Sequence, residues 1–510
     1  MQTTLTIGDH LVNRLAEIGI DHLFGVPGDY NLVFLDRVIA HPTLRWVGTA
    51  NELNAAYAAD GYARVKGAAA LLTTFGVGEL SAINGVAGSY AEHLPVLHIV
   101  GAPSLSAQRE HLKMHHTFAN GDFSQFARMS TEVTVATAEL TVANAVEEID
   151  RVLRTMLHLR RPGYLVLPAD VAVAPLPVEP QPLRLEKPAC DSVQLAAFSQ
   201  HVARHLRAAT NKVVLADYLA SRWDCAHKVT ELIEVGHLPS ATLMTGKSTL
   251  DETLPGFLGT YAGAASASPV REAVESADAL IAVGTLFFDI STAGFSHKID
   301  TSRVIDIQPF GASVGGVHYP NVPMHVALDC VIDEIRRTRD RTMPRLASAA
   351  VTPSSARPDA LLTQRNLWPV IQDFLRAGDI LVAEQGTSFY GAAPLMLPKD
   401  GKFIGQPLWA SIGYTIPAAF GAQMALPERR TLVLIGDGSA MLTVQEIGSM
   451  LREETKPIIV VLNNNGYTVE RAIHGPEERY NDIASWNWQE VASAMGRDKP
   501  SAALHATTVG

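Results

Sequence analysis

Apolar and polar positions along this chain recur with two periods, and each switch between them marks an element. Ile7, Leu11, Leu15 and Ile18 return every three or four residues, so they share one face of a helix that Gly19 is placed to end. Short, almost wholly apolar runs follow at 22–26, 69–75, 96–100 and 164–167, with helix-length segments between them. Strands this apolar, alternating with helices, predict a parallel sheet covered on both faces. The same rhythm returns at 213–216, 279–283 and 303–307, and again at 380–383, 432–435 and 458–462. Two breaks divide it. Residues 175–188 (PLPVEPQPLRLEKP) can continue neither a helix nor a central strand, and residues 348–358 are rich in Pro, Ser and Ala. The expectation is an α/β chain of three doubly wound, mostly parallel-sheet domains, at 1–175, 190–345 and 358–510.

Length and composition agree with several cores. A chain of 510 residues is expected to hold two to four domains, and 47% apolar against 18% charged residues can fill them. The net charge is −11 with no Lys/Arg-rich run, which argues against a nucleic-acid partner. The longest uninterrupted apolar stretches, such as 458–462, are too short to span a bilayer, and the N-terminus MQTTLTIGDH lacks the pattern of a signal peptide. Cys190, Cys225 and Cys330 suit neither a disulfide framework nor a zinc site. A soluble cytoplasmic protein is expected, without membrane or nucleic-acid partners.

The clearest chemistry begins at Thr431. The apolar run LVLI leads into Gly436-Asp437-Gly438. Thr443 and Glu446 then have capping-box spacing and predict a helix start, and a second run, IIVVL, ends in Asn463-Asn464-Asn465-Gly466. As a βαβ unit this sets Asp437 and Asn464 just beyond the C-terminal ends of neighbouring parallel strands, where open α/β sheets bind ligands. A carboxylate, an amide oxygen and loop carbonyls are the hard oxygen ligands Mg²⁺ takes, often together with phosphate oxygens. The glycines let the backbone come close to a diphosphate. Alone, Gly-Asp-Gly is equally a tight turn; the surrounding strands and helix give it weight.

Four acids and two histidines complete the candidate set. Asp437 is one of the acids. Glu52 is a lone acid in the helical stretch Asn51-Glu52-Leu53-Asn54-Ala55-Ala56-Tyr57; its small and apolar neighbours predict partial burial, which raises a carboxyl pKa. Asp29 sits on the glycine-flanked loop GVPGDYN, where capping a helix is the plain alternative. His115 and His116 are adjacent in MHHTFANGDF, and Glu470 follows the asparagine loop in GYTVERAIHG.

Gly436-Asp437-Gly438 followed by Asn463-Asn464 resembles the thiamine diphosphate signature. From HLFGVPGDYNL through TFGVGELSAINGVAGSYAEHLPVLHIVG to the stretch near Trp486, the chain is similar to 2-oxo acid decarboxylases, most of all those acting on indolepyruvate, phenylpyruvate and branched-chain 2-oxo acids. The resemblance implies pyrimidine-binding, middle and diphosphate-binding domains and the cofactors thiamine diphosphate and Mg²⁺. It implies metal ligation by Asp437, Asn464 and the Gly466 carbonyl, and further cofactor contacts at Thr387, Gly436, Gly438 and Ser439. Ile412 would wedge the cofactor into its bent form, and the Ala410 carbonyl would accept from its amino group. Glu52 would face the aminopyrimidine nitrogen. Asp29, His115, His116 and Glu470 would steer CO₂ departure and protonate the resulting enamine to an aldehyde. Carboligases that make acetolactate generally lack the adjacent histidines.

Gln385, Phe389, Val469 and Ile473 match the family's substrate pocket, and Val469 replaces the isoleucine of strict pyruvate enzymes, so a 2-oxo acid larger than pyruvate is expected. By the same resemblance the cofactor lies between two subunits, one presenting its first block and the other its third, in a homodimer that pairs into a homotetramer.

Three departures stand out. Ala410 replaces the glycine of close relatives, 216–220 (ADYLA) lacks the regulatory cysteine of some yeast pyruvate decarboxylases, and relatives are expected to continue for about 40 residues, one strand and helix, beyond Gly510. The middle block offers only Gly259 and Gly263 toward a dinucleotide motif. An acetolactate-type carboligase and a catalytically silent scaffold are the competing readings.

Overall fold

The computed structural model describes residues 5–338 and 357–510. The chain forms two compact units, Met1–Glu186 with Trp409–Leu504, and Lys187–Leu408 with His505–Gly510. Among the described residues no helix is long and apolar enough to cross a membrane.

The first block opens with α1 (Ile7–Glu17), which buries Ile7, Leu11 and Leu15. Thr6 and Asp9 cap it reciprocally, and Gly19 lies just past its end at φ +84°. There follow β1 (His22–Gly25), α2 (Leu32–Ala40), β2 (Arg45–Gly48), α3 (Glu52–Lys66), β3 (Ala69–Thr74), α4 (Val77–Ala91), β4 (Val96–Ala102), β5 (Ala136–Glu139) and β6 (Gly163–Pro168). The sheet has the order β2-β1-β3-β4-β6-β5 and every pair is parallel. Winding reverses between β1 and β3, so the loops after those strands flank a switch point at the C-terminal edge.

The middle block holds β7 (Lys212–Ala216), β8 (Ser240–Leu243), β9 (Phe257–Tyr261), β10 (Ala279–Val283), β11 (Val304–Gln308), β12 (Gly311–Val314) and β13 (Val317–Pro320), in the order β13-β12-β11-β10-β7-β8-β9. Only the pairs β11–β12 and β12–β13 are antiparallel. In the third block β14 (Ile380–Ala383) pairs in parallel with β15 (Lys402–Ile404) in the second unit, and β16 (Thr431–Gly436) with β17 (Ile458–Leu462) in the first. The proline-rich stretch 175–188 carries no helix or strand. All but the last two residues of 348–358 lie outside the described residues.

One local expectation fails. Thr443 and Glu446 do not form a capping box: a helix runs Asp437–Thr443 directly from the strand end, and a second runs Glu446–Arg452. The Thr443 hydroxyl donates instead to the Gly413 carbonyl (2.6 Å). Glu446 reaches far along the chain, accepting from the Asn54 side chain (2.8 Å) and the Ala50 N–H (3.2 Å).

Within the first unit, α3 crosses the helix Thr415–Ala425 with almost nothing between the backbones. A β carbon on Gly61 would lie 2.0 Å from the Ala418 carbonyl oxygen, and one on Gly421 1.8 Å from that of Ala58. A buried polar lock fixes the crossing. The Asp60 carboxylate accepts from Arg64 (2.7 Å), the Tyr414 hydroxyl (2.5 Å) and Ser89 (2.8 Å), while Arg64 also pairs with Glu92 (2.7 Å). Burial holds the Tyr414 phenol well above its ordinary range. Gly61→Ala and Gly421→Ala should each cost about 1–3 kcal/mol or more, because backbone rather than a movable side chain must give way. Gly448→Ala, whose β carbon would meet nothing nearer than 3.9 Å, is the neutral control. Thermal unfolding followed by circular dichroism checks this: equal midpoints for all three variants and wild type would contradict the close crossing.

Candidate active site

The polar residues of the first block gather at the C-terminal edge of its sheet. Glu52 opens α3, whose N-cap Asn51 accepts from the Asn54 N–H at 2.8 Å, and Glu52 is half-buried, as its neighbours implied. Asp29 caps nothing. Residue 31 holds the N-cap position of α2, and Asp29 lies 2.8 Å from His115 Nε2. The Tyr30 hydroxyl is 3.1 Å from His115 Nδ1, with the two rings stacked 4.8 Å apart. Asp29 and Tyr30 hold the two ring nitrogens of His115 between them, and the Tyr30 hydroxyl also lies within donating distance of the His115 carbonyl (3.3 Å). His116, at φ +59°, sets its ring 4.6 Å from that of His115, and ligating atoms of Asp29, His115 and His116 lie within 4.8 Å of one another.

The third-block loops build a different kind of site. Gly436 pairs with Leu462 in the parallel register, so Asp437 and the asparagine run leave adjacent strand ends together. The buried Asp437 carboxylate accepts from the Gly438 N–H (2.8 Å) and the Asn465 N–H (2.7 Å). The Asn464 side-chain oxygen stands 3.1 Å from Asp437 Oδ1 and 2.9 Å from the Gly466 carbonyl oxygen. An amide oxygen facing two other oxygens is stable only with a cation between them; with the amide turned over, its NH2 would instead donate to Asp437 and Gly466. For octahedral ligands at about 2.1 Å the edge between neighbouring oxygens is about 3 Å, so with the amide oxygen facing inward the spacing would suit a small hard divalent ion. Gly466, at φ +131°, can carry no side chain: a β carbon would lie 2.1 Å from the Asn481 carbonyl oxygen.

Comparison with known proteins places this geometry. Residues 5–128 match the model of the thiamine pyrophosphate enzyme N-terminal TPP binding domain, 199–335 that of the central domain, and 386–504 that of the C-terminal TPP binding domain. The chain belongs to the thiamine pyrophosphate enzymes. It is 50% identical to the alpha-keto-acid decarboxylase of Mycobacterium ulcerans (strain Agy99) over 493 residues, 96% of this chain and 87% of that protein. The same identity extends over 499 residues of the alpha-keto-acid decarboxylase of Mycobacterium tuberculosis (strain ATCC 25618 / H37Rv), 96% of this chain and 88% of that one. Thiamine diphosphate is thus the cofactor this fold is built to hold, and the two loop clusters belong to the two kinds of domain named for binding it.

The remaining positions expected at a thiamine site are placed as follows. Ala410 has its backbone at φ +57°, the left-handed conformation a glycine adopts without cost, and an alanine there carries about 1 kcal/mol of strain. Its neighbours hold it: the Ser411 hydroxyl lies 2.5 Å from the Tyr57 hydroxyl, and the Trp409 N–H donates to Asn84 (2.9 Å). Ile412 is half-buried, and Ser439 is buried on the helix that starts at Asp437. Thr387 opens the helix Thr387–Ala392 after Gly386 at φ +111°. Gln385 is half-buried and donates to the Tyr390 hydroxyl (3.3 Å). Phe389 is wholly buried, its ring 5.7 Å from that of Phe403. On the helix Thr468–Ile473, Val469 is half-buried while Glu470 and Ile473 are exposed.

Two further acids escaped the sequence reading. Glu446 holds the start of α3, as described, and burial pushes its carboxyl up against the hydrogen bonds from Asn54 and Ala50. Glu79, 2% exposed near the start of α4, is pushed up to about 7 by burial, against hydrogen bonds from Tyr164 and the Gly76 N–H. Its contribution to stability is therefore fully present below the ordinary value of 4.5 and lost as pH rises through about 7. Glu79→Gln should raise the unfolding midpoint relative to wild type more at pH 8 than at pH 5; a difference independent of pH would show that Glu79 does not titrate in this way. Asp437→Ala should abolish binding of thiamine diphosphate with Mg²⁺ in calorimetry while the protein stays folded, and unchanged binding would remove the oxygen cluster from the site.

Proposed function

We propose that this chain decarboxylates 2-oxo acids with side chains larger than methyl, such as indolepyruvate, phenylpyruvate or branched-chain 2-oxo acids, releasing CO₂ and the aldehyde. The Asp29–His115 pair, backed by Tyr30 and flanked by His116, carries this reading, because an aldehyde forms only if a proton is delivered to the carbon that lost CO₂. The decarboxylase names of the relatives and the three thiamine domains support the reaction class. Mg²⁺ would be held by Asp437 Oδ1, Asn464 Oδ1 and the Gly466 carbonyl and would bind the diphosphate. Thiamine diphosphate, when bound, supplies the nucleophilic carbon and the sink for the electrons that CO₂ leaves behind. Glu52 holds a proton at the ring nitrogen of the pyrimidine. Asp29 orients His115, whose imidazole delivers the proton. Glu470 acts on the leaving carboxylate.

The site is assembled from two chains in this reading. Among the described residues the Glu470 carboxylate has no hydrogen-bond or ion-pair partner, and Asp29 and His115 are each more than half exposed. Apolar side chains close in the chain to both clusters are exposed, Val77 56%, Phe118 60%, Leu442 46% and Ile473 72%, which suits burial by a second subunit. A homodimer pairing further into a tetramer, in the cytoplasm, completes the proposal; no disulfide joins the three cysteines.

Val469 tilts the substrate choice, since one methylene in a pocket is worth about 1–3 kcal/mol of discrimination. CO₂ release with thiamine diphosphate and Mg²⁺ should show higher kcat/KM for phenylpyruvate, indolepyruvate or 2-oxoisovalerate than for pyruvate, with aldehyde as the main product. A far higher kcat/KM for pyruvate would overturn the substrate assignment, and a chiral hydroxyketone as main product would favour carboligation. Glu52→Gln should bind the cofactor and lose turnover; normal turnover would remove Glu52 from the mechanism.

A further inference from the structure

We propose that Glu79 is a positioning residue for the reaction: it clamps the turn at 74–78, on which the Asp29 loop, Glu52 and the histidine loop are all seated. The inference rests on the roles given above to Asp29, Glu52 and His116. Three close approaches converge on this one turn. A β carbon on Gly28, next to Asp29, would lie 2.6 Å from Thr74 Cβ. One on Gly76 would lie 2.0 Å from the His116 carbonyl oxygen, and one on Gly78 would lie 3.2 Å from Glu52 Oε1. Gly76 is at φ +63°, so the turn fits only as glycine permits. A shift of the turn therefore moves three functional groups at once.

Glu79 determines where the turn sits. Its Oε1 accepts from the Gly76 N–H (2.8 Å) and its Oε2 from the Tyr164 hydroxyl (2.5 Å), so one carboxylate ties the loop after β3 to strand β6. Tyr164 is wholly buried and packs edge-on against His98 (5.5 Å), which burial keeps neutral by lowering it to about 3. His98 in turn bonds Thr73 at 2.9 Å, so a second strap grips β3 just before the turn. Among the described residues no ion pair reaches Glu79. A carboxylate buried without a cation is costly, and a side chain present only to fill the core would not need one. Its cost is explained if the two hydrogen bonds hold the turn where the reaction requires it.

The test compares Glu79→Ala, Glu79→Gln and Tyr164→Phe with Glu52→Gln in the full-length enzyme loaded with thiamine diphosphate and Mg²⁺. Glu79→Ala should lower kcat by about 10–100-fold while KM and cofactor Kd stay within about threefold, since misplacement by an ångström affects the reacting geometry more than binding. Glu79→Gln keeps two hydrogen-bonding atoms in place and should restore kcat to within about threefold of wild type. A purely structural role would reduce the folded, cofactor-binding fraction and leave kcat per bound cofactor unchanged. That outcome overturns the proposal, as do equal losses in the Ala and Gln variants, which would assign the effect to charge rather than to the clamp. If Glu79→Ala does not fold, Tyr164→Phe decides: a kcat loss at unchanged Kd supports the clamp and wild-type kcat refutes it. Turnover by Glu52→Gln would instead sink the underlying assignment of the site, whatever the Glu79 variants do.

Discussion

Two glycines set the distance at which the Glu52 helix meets the third block of the chain. Because Gly61 and Gly421 lie against opposing carbonyl oxygens, the separation of α3 from the helix Thr415–Ala425 is fixed by backbone contact rather than by adaptable side chains. The Asp60–Tyr414–Arg64 lock then fixes the crossing angle. Glu446, three residues beyond the Asp437 helix, grips the Ala50 N–H and Asn54 at the start of α3. Helix α3 is therefore held along its length at Asp60 and Gly61 and at its Glu52 end by Glu446, and both supports come from the third block of the chain. Preorganisation of this kind suits the role proposed for Glu52.

The site carries its own electrostatic cost. Glu79 and Glu446 are both buried and both pushed upward by that burial, and each is bonded only by neutral donors. Asp437 is buried as well, with its carboxylate supported by two backbone N–H groups. Ala410 adds a strained backbone held in place by Ser411 and Trp409. Such costs gather where geometry matters more than stability.

Much of the fold was legible because its strands are apolar on both faces: 69–75, 96–100 and 458–462 all proved to be strands with bounds shifted by at most two residues. The short strands β2, β5, β8, β9, β12, β13 and β15 were missed, since three to five residues of mixed polarity carry little periodic signal. The Asp437 loop was legible because a parallel βαβ unit places both strand ends together. The Thr443–Glu446 spacing misled, because Glu446 answers to a partner 392 residues away rather than to its own helix. Glu79 was invisible for the same reason: within α4 it reads as an ordinary first-turn acid, and its meaning comes from Tyr164 on a distant strand. Sequence spacing conveys local bonds well and remote ones hardly at all.

The central claim is that Glu52 of one chain and the Asp437 loop of another make one thiamine site. Mixing the two inactive variants Glu52→Gln and Asp437→Ala under conditions that let subunits exchange tests it directly. Half the dimers formed are mixed, and each has one site with both residues intact, so activity should return to about a quarter of the wild-type value. No recovery, with subunit exchange verified by mass, would show that each chain builds its site alone and would contradict the account.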